Sequence, residues 1–592
     1  MTQIKQLFND KNVATIGIKG VGGIGKSTLA SKIFEEEITL DPSLGDDEDL
    51  FPKRLPFWWE AGNLGGFSGL ARQFLTEFGY PVPEKEIDLQ EALIRQLQRH
   101  RHLIIIDNLE SLLGEDGSWN NEFYQQFFTA WIEKGDTSKI IVTTREKPKT
   151  RGFNRWRWIE LKGLKPPEGA QLLAESQITG DLENFSRRVD GHPLLLRLVA
   201  DLILAEFPQN PSLERLADLG LGNLSQLLSD SQVVGSHRQE TVGIALVLDA
   251  SFQRLSQRQQ ELFTKTSIYR REFDSPAAKA VMDNYPEIAL SEITADLREL
   301  QRRSLLEEKE ENRQRIFSFQ PLVWEYAQYK AGDQRELHQK AIAYYLSIAQ
   351  PDSWEILNDV QPYLEIFYHH YQLTEYDNAF DILRAIDDFL TRRGYYQTLA
   401  DYYLELVTVY QQQEEQTNWK YTASLTSLGN AYGSLGEYQK AIEFHQQSLA
   451  IKREIGDRGG EAKSYGNLGT VYGSLGEYQK AIEFYQQSLA IEREIGDQGG
   501  EANAWFNLGL TYYKLKRISE AKEAFLQSRE LFQALGLAAD VQNCDDEIRQ
   551  LETRKYPLIV AFFLGVVKFP LVSIGGIIVA LWRLLKRWLT KA

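Results

Sequence analysis

The sequence predicts a multidomain chain, α/β in its first part and all-α afterwards, with an apolar segment at its end. Three observations predict it. An apolar run, Val13–Ile18, leads straight into a glycine-rich stretch and then into helical periodicity over Thr28–Phe34. Further apolar runs alternate with helical stretches up to about residue 161. Much later, Leu-Gly pairs recur at a constant spacing, at Leu428, Leu468 and Leu508.

Composition sets the outer limits. A chain of 592 residues is too long for one hydrophobic core. Its apolar content of 43% and charged content of 25% are those of a globular protein. A net charge of −17 argues against broad, nonspecific nucleic-acid binding. Cys544 is the single cysteine, so an internal disulfide and a cysteine-rich metal site are excluded. The first dozen residues are polar and hold no apolar signal region, so a cytoplasmic location is expected.

The glycine-rich stretch carries the chemistry. Gly20, Val21, Gly22, Gly23, Ile24, Gly25, Lys26 and Ser27 satisfy the pattern G-x-x-x-x-G-K-[ST], placed between a strand and a helix. Glycines let backbone N–H groups curl around phosphates, the Lys26 ammonium reaches the β/γ oxygens, and the Ser27 hydroxyl ligates Mg²⁺. Thr28 completes the set at the start of the helix. Leu103–Asp107 is an apolar run ending in a carboxylate, as for a central parallel strand that delivers an acid to the metal. Lys139–Arg145 is a third strand, and Phe57–Glu60 and Trp156–Leu161 supply two more. Helices between these runs give a parallel three-layer sheet, with Lys26, Asp107 and Arg145 at its carboxyl edge. Ser27 and Asp107 are the expected metal ligands.

These motifs, with Gly191-His192-Pro193-Leu194 after them, resemble NB-ARC domains of the STAND class of signal-transduction NTPases over residues 10–330. The resemblance implies that ATP and ADP are the nucleotides, with Mg²⁺, and that Pro193 packs against the adenine. It also implies homo-oligomerisation in the ATP-bound form. Three departures stand out. Asn108 occupies the place of a second acid and cannot act as a general base, so hydrolysis is expected to be slow unless Glu110 substitutes. The family's upstream adenine-contacting element is not recognisable in Met1–Asn12. Where relatives carry Met-His-Asp, this chain reads Ser318-Phe319-Gln320-Pro321-Leu322, leaving Gln320 as a neutral stand-in for the histidine.

Beyond the sheet, residues 166–235 form a helical domain by pattern, with Ala170–Ala174 and Leu194–Ala200 as apolar stripes. Residues 236–332 resemble the winged helix of the same family. Its expected wing, Glu307–Asn312, is acidic and would repel phosphate, which favours an internal lever over a DNA reader. The Leu-Gly pairs are followed at matched offsets by Tyr432, Tyr472 and Tyr512 and by Ala441, Ala481 and Ala521. This resembles lengthened tetratricopeptide repeats over 421–548, broken at Gly456–Gly460 and Gly496–Gly500, with a degenerate unit near Tyr371–Ala379 inside a helical stretch, 333–420. Their concave face is expected to bind a peptide or protein.

The last segment, 556–592, is apolar over Tyr556–Trp582 and basic after it. Two readings stay open. A single span would place Lys568 near the bilayer centre at about 3 kcal/mol, and a hairpin turning at Lys568–Pro570 keeps both ends on one side. Ile577–Leu589 is also amphipathic enough to lie in the interface. Membrane association is expected in each case. The whole sheet domain is bounded as 1–165. The order of parts predicts an ATP/ADP-operated signalling switch in which the repeats sense a ligand and the terminal segment anchors or acts. The competing readings are a membrane-tethered, nucleotide-stabilised scaffold without turnover and an NTPase-type transcriptional regulator.

Overall fold

The computed structural model describes residues 10–38, 55–61, 66–83, 88–149 (save 115, 121 and 136), 155–222, 236–311, 314–350, 354–413 and 418–555, together with Ile4, Gln6 and Leu7. Five strands form one sheet: β1 (Thr15–Lys19), β2 (Leu55–Glu60), β3 (His102–Asp107), β4 (Lys139–Thr144) and β5 (Trp156–Glu160). Their order is β2-β3-β4-β1-β5 and every pairing is parallel. β3 and β4 are buried at every residue, which explains their unbroken apolar sequences.

Two apolar layers sandwich this sheet. Helix α1 (Lys26–Ile38) lays Ala30 and Ile33 against Ile16, Ile18, Leu103, Ile105 and Ile141. On the other face, α2 (Gly66–Glu77), α3 (Leu89–Arg99) and α4 (Glu122–Lys134) pack Phe67, Phe74, Leu93, Phe127 and Trp131 onto Ile104, Ile106, Ile140 and Val142. Strand alternation sends these two sets to opposite faces. The three layers are as expected. The alternation is not complete, because the described residues 145–149 after β4 contain no helix before the chain reaches β5 on the far side of β1. Gly17 makes room there, since a Cβ on it would lie 2.3 Å from the Trp158 ring.

A second core follows. Helices α5 (Pro166–Glu175), α6 (Leu182–Arg188) and α7 (Pro193–Glu206) share it with α8 (Ser236–Phe252), α9 (Gln257–Thr266), α10 (Ser275–Ala280) and α11 (Leu290–Arg302). After α11 comes an antiparallel hairpin of β6 (Glu307–Glu311) and β7 (Gln314–Ser318). Phe273 and Phe317 exchange backbone hydrogen bonds of 2.9 and 2.8 Å, tying the hairpin to the helices. Helix α12 (Pro321–Ala331) then starts with proline in its first turn, where a missing N–H costs nothing.

Five more helices continue the first compact unit, which runs to Gly436: α13 (Arg335–Ile348), α14 (Gln361–Gln372), α15 (Tyr376–Arg392), α16 (Tyr396–Gln412) and α17 (Trp419–Ser434). Buried Glu365 on α14 takes both Arg270 at 3.0 Å and Arg271 at 3.2 Å.

The second unit begins at Glu437 and holds α18 (Tyr438–Glu454), α19 (Arg458–Ser474), α20 (Tyr478–Ile495), α21 (Gln498–Lys514), α22 (Ile518–Ala534) and α23 (Ala538–Lys555). The recurrent glycines mark close helix approaches. A Cβ on Gly469 would lie 2.7 Å from the Tyr485 ring, and one on Gly509 2.7 Å from Phe525. The breaks between repeats are shorter than expected. Only Gly456 and Gly496 sit in them, both in the left-handed region, whereas Gly459, Gly460, Gly499 and Gly500 already belong to the first turns of α19 and α21. The Asp457 and Asp497 carboxylates accept from the N–H groups of Gly460 and Gly500 and cap those helices. Among the described residues no helix is long and apolar enough to cross a membrane. The expected membrane segment, 556–592, lies outside the described residues.

Candidate nucleotide site

The strand order sets up the site. At the carboxyl edge of the sheet, Glu60, Asp107, Arg145 and the loop after Lys19 come from four adjoining strands in that spatial order. This is the edge where parallel α/β sheets receive ligands. A cavity of about 1950 Å³ opens over it, lined by Gly22, Gly23, Gly25, Lys26, Ser27, Thr28, Asp107, Glu110, Arg145 and Pro193. Apart from Gly20, every residue expected at the site lies on its wall. Gly20 sits beneath the loop, its N–H donating to the Thr144 carbonyl at 3.2 Å.

The loop doubles back at Gly23 and Gly25, which hold φ of 72° and 94°. Those angles suit glycine, which adopts them without the strain a Cβ would bring. Lys26 opens α1, is 7% exposed, and donates from Nζ to the Val21 carbonyl at 3.2 Å. Burial holds its ammonium below the ordinary lysine value, against the raising influence of Glu110 and Asp107. Its side chain thus folds back over the loop.

Ser27 Oγ donates to Asp107 Oδ1 at 2.9 Å, across eighty residues of sequence. The Thr143 hydroxyl donates to the same carboxylate oxygen. A hydroxyl beside a carboxylate is the hard oxygen chemistry that suits Mg²⁺, which binds through one or two such groups and completes its shell with phosphates. Among the described residues there is no cluster of three or more His, Cys, Asp or Glu placed to hold a metal.

Asn108 takes the left-handed conformation, φ 58°, directly after Asp107. Its N–H donates to Thr143 Oγ1 at 3.0 Å and its Nδ2 to Glu60 Oε1 at 3.3 Å. Glu110 is engaged rather than free: its Oε1 lies 3.3 Å from Arg145 Nε, and its Oε2 accepts from the Arg145 N–H at 3.3 Å. Arg145 also stands 3.7 Å from Glu325 on α12. Gln320 is turned to Glu307 on β6, donating at 2.7 Å, although it shares the cavity wall.

Several contacts were invisible in the motifs. His192 caps α7, accepting from Leu195 N–H on Nδ1 at 3.4 Å. That leaves the proton on Nε2, which lies 3.1 Å from the Gly22 carbonyl. Burial pushes this imidazole down, so it stays neutral. Leu322 comes within 3.2 Å of where a Gly22 Cβ would be, and Leu194 within 2.7 Å of one on Gly23. The loop is therefore clasped by the turn before α7 and the start of α12, and a side chain on Gly23 would collide with Leu194.

Residues 14–178 match the NACHT domain, and residues 420–494 and 460–534 match the tetratricopeptide repeat. An uncharacterized WD repeat-containing protein of Nostoc sp. is 28% identical over 353 residues, 55% of this chain and 25% of that protein. The disease resistance-like protein CSA1 of Arabidopsis thaliana is 31% identical over 149 residues, 24% of this chain and 10% of that protein. This chain thus spans a quarter or less of these relatives' length. Among solved structures, a STAND protein with a tetratricopeptide repeat sensor from Pyrococcus horikoshii is 17% identical, with 92% of this chain and 85% of that one covered and a TM-score of 0.41.

Proposed function

We propose that this chain, which carries a NACHT P-loop NTPase domain followed by tetratricopeptide repeats, is a signalling switch run by ATP and ADP. One observation supports it above the rest. The Ser27 hydroxyl and the Asp107 carboxylate meet at 2.9 Å beside Lys26 and the amide cradle, giving a phosphate grip and a metal grip in one place. Mg²⁺ bound there would neutralise charge on the β- and γ-phosphates. The chain's own groups do the rest. Loop N–H groups and Lys26 hold the phosphates, Pro193 flanks the adenine, and Arg145 reaches the terminal phosphate end of the cavity.

The switch reading comes from what touches the phosphate loop and Arg145. His192 and Leu194 belong to the helical region, and Leu322 and Glu325 to the helix that follows the hairpin. We read residues 236–332 as a winged-helix lever whose last helix, α12, rests its first turn on the phosphate loop. ADP would favour this closed arrangement, and a terminal phosphate pressing on Arg145 and Leu322 would favour an open one. A peptide or protein on the repeats would shift that balance, and the open form would assemble into homo-oligomers. The segment 556–592 would anchor the chain to a membrane or act on it.

Lys26→Ala tests the reading. The wild-type chain is expected to turn over ATP slowly and to change particle size with ATP, both lost in the variant. Tight nucleotide with no turnover and no ATP-dependent assembly would instead make the chain a scaffold.

A further inference from the structure

We propose that Glu60, at the end of β2, orients the water that attacks the terminal phosphate. This rests on the nucleotide-switch reading and names a residue that none of the motifs carries. Asn108 follows Asp107 where an acid would be useful, and an amide cannot serve as a carboxylate. Glu110 is held twice by Arg145, through its side chain and its backbone N–H.

The neighbouring strand fills the gap. Glu60 pairs with Asp107 in the β2–β3 register, so its Cα stands beside that of the metal-binding acid at the same edge. The Ala61 N–H donates to the Asp107 carbonyl at 2.8 Å and extends the ladder one residue beyond the strand, which fixes Glu60's direction. Asn108 Nδ2 then donates to Glu60 Oε1 at 3.3 Å. Asn108 thus holds a carboxylate rather than supplying one. Its left-handed backbone aims the amide across to β2, and asparagine tolerates that conformation better than most residues. Glu60 lines the same cavity as Lys26, Ser27 and Asp107 and is open to solvent from it. Its second oxygen, Oε2, carries the remaining acceptor capacity for a water.

The step balances without further reagents. The water oxygen bonds to the γ-phosphorus, and the bond from that phosphorus to the β–γ bridging oxygen breaks with its electron pair left on the diphosphate. Both hydrogens of the water leave with the phosphate. Glu60 contributes alignment, by accepting a hydrogen bond from the water as it approaches in line.

Single-turnover ATP hydrolysis and calorimetric ATP affinity are to be compared for the full-length wild type, Glu60→Gln and Glu110→Gln, with melting temperature as the control for folding. The expected result is a fall in rate for Glu60→Gln of about tenfold or more, with affinity within about twofold and a larger rate loss than for Glu110→Gln. A wild-type rate in Glu60→Gln overturns the proposal, as does a greater loss in Glu110→Gln or a loss of affinity that accounts for the lost rate. A wild type that binds ATP without turnover overturns it and leaves nucleotide binding standing. A wild type that binds no ATP overturns both.

Discussion

The Nε2 of His192 lies 3.1 Å from the carbonyl oxygen of Gly22, linking the turn before α7 to the phosphate loop across 170 residues of sequence. The imidazole is 1% exposed, and its tautomer is set by the Leu195 N–H on the opposite nitrogen. By holding the Gly22 carbonyl, it fixes the path of the loop at that residue. His192→Ala is expected to weaken ATP binding about tenfold, the equivalent of about 1.4 kcal/mol, which is the range for one buried hydrogen bond. Titration calorimetry checks it. An unchanged affinity would reduce His192 to a helix cap.

The repeats give a packing prediction. Gly469 faces the Tyr485 ring so closely that a Cβ would lie 2.7 Å from it. Gly469→Val is expected to destabilise the repeat unit by about 2 kcal/mol. The melting transition reads this directly. Gly466 lies on the same helix with only the Ser488 hydroxyl near, 3.6 Å from its would-be Cβ, so Gly466→Ala is expected to be neutral or stabilising.

Acid sensitivity follows from buried histidines. His445 is 1% exposed, and burial pulls it down from 6.5 to about 4. Because the folded value lies below the unfolded one, the folded state binds fewer protons. Stability is full above pH 6.5 and falls as pH drops toward 4. At pH 5 the loss from this group is about 2 kcal/mol. The next repeat has Tyr485 at the corresponding position, also buried. His445→Tyr is therefore expected to remove this part of the pH dependence. Denaturant unfolding at pH 7 and pH 5 tests it, and an identical pH dependence in the variant would contradict it.

Much of this was legible beforehand because its signals are local. An apolar run, glycines at fixed offsets and a lysine identify the phosphate loop within fifteen residues, and Asp107 ends a strand too apolar to be anything but central. Forty-residue repetition made the helical array readable from Leu428, Leu468 and Leu508. What stayed hidden is long-range. Nothing in Gly191-His192-Pro193 says that the histidine reaches Gly22, because that depends on how α7 docks. Glu60 looked like a strand terminus, since only the strand order β2-β3 puts it beside Asp107 and Asn108. Glu110 stood open as a substitute for the missing acid, and its pairing with Arg145 depends on the turn of Leu109–Leu112, which carries no motif.

The segment 556–592 carries a prediction of its own. Deleting it is expected to release the chain from membranes in fractionation, while ATP affinity stays the same. Unchanged fractionation would reject the anchor.

The central claim is a phosphate cradle with a metal grip at the rim of the sheet. The most direct test is calorimetric titration of ATP into the intact chain, with and without Mg²⁺. The account predicts one ATP per chain, bound more tightly when Mg²⁺ is present, with that enhancement lost in Asp107→Asn. Absence of adenine-nucleotide binding under both conditions would contradict it.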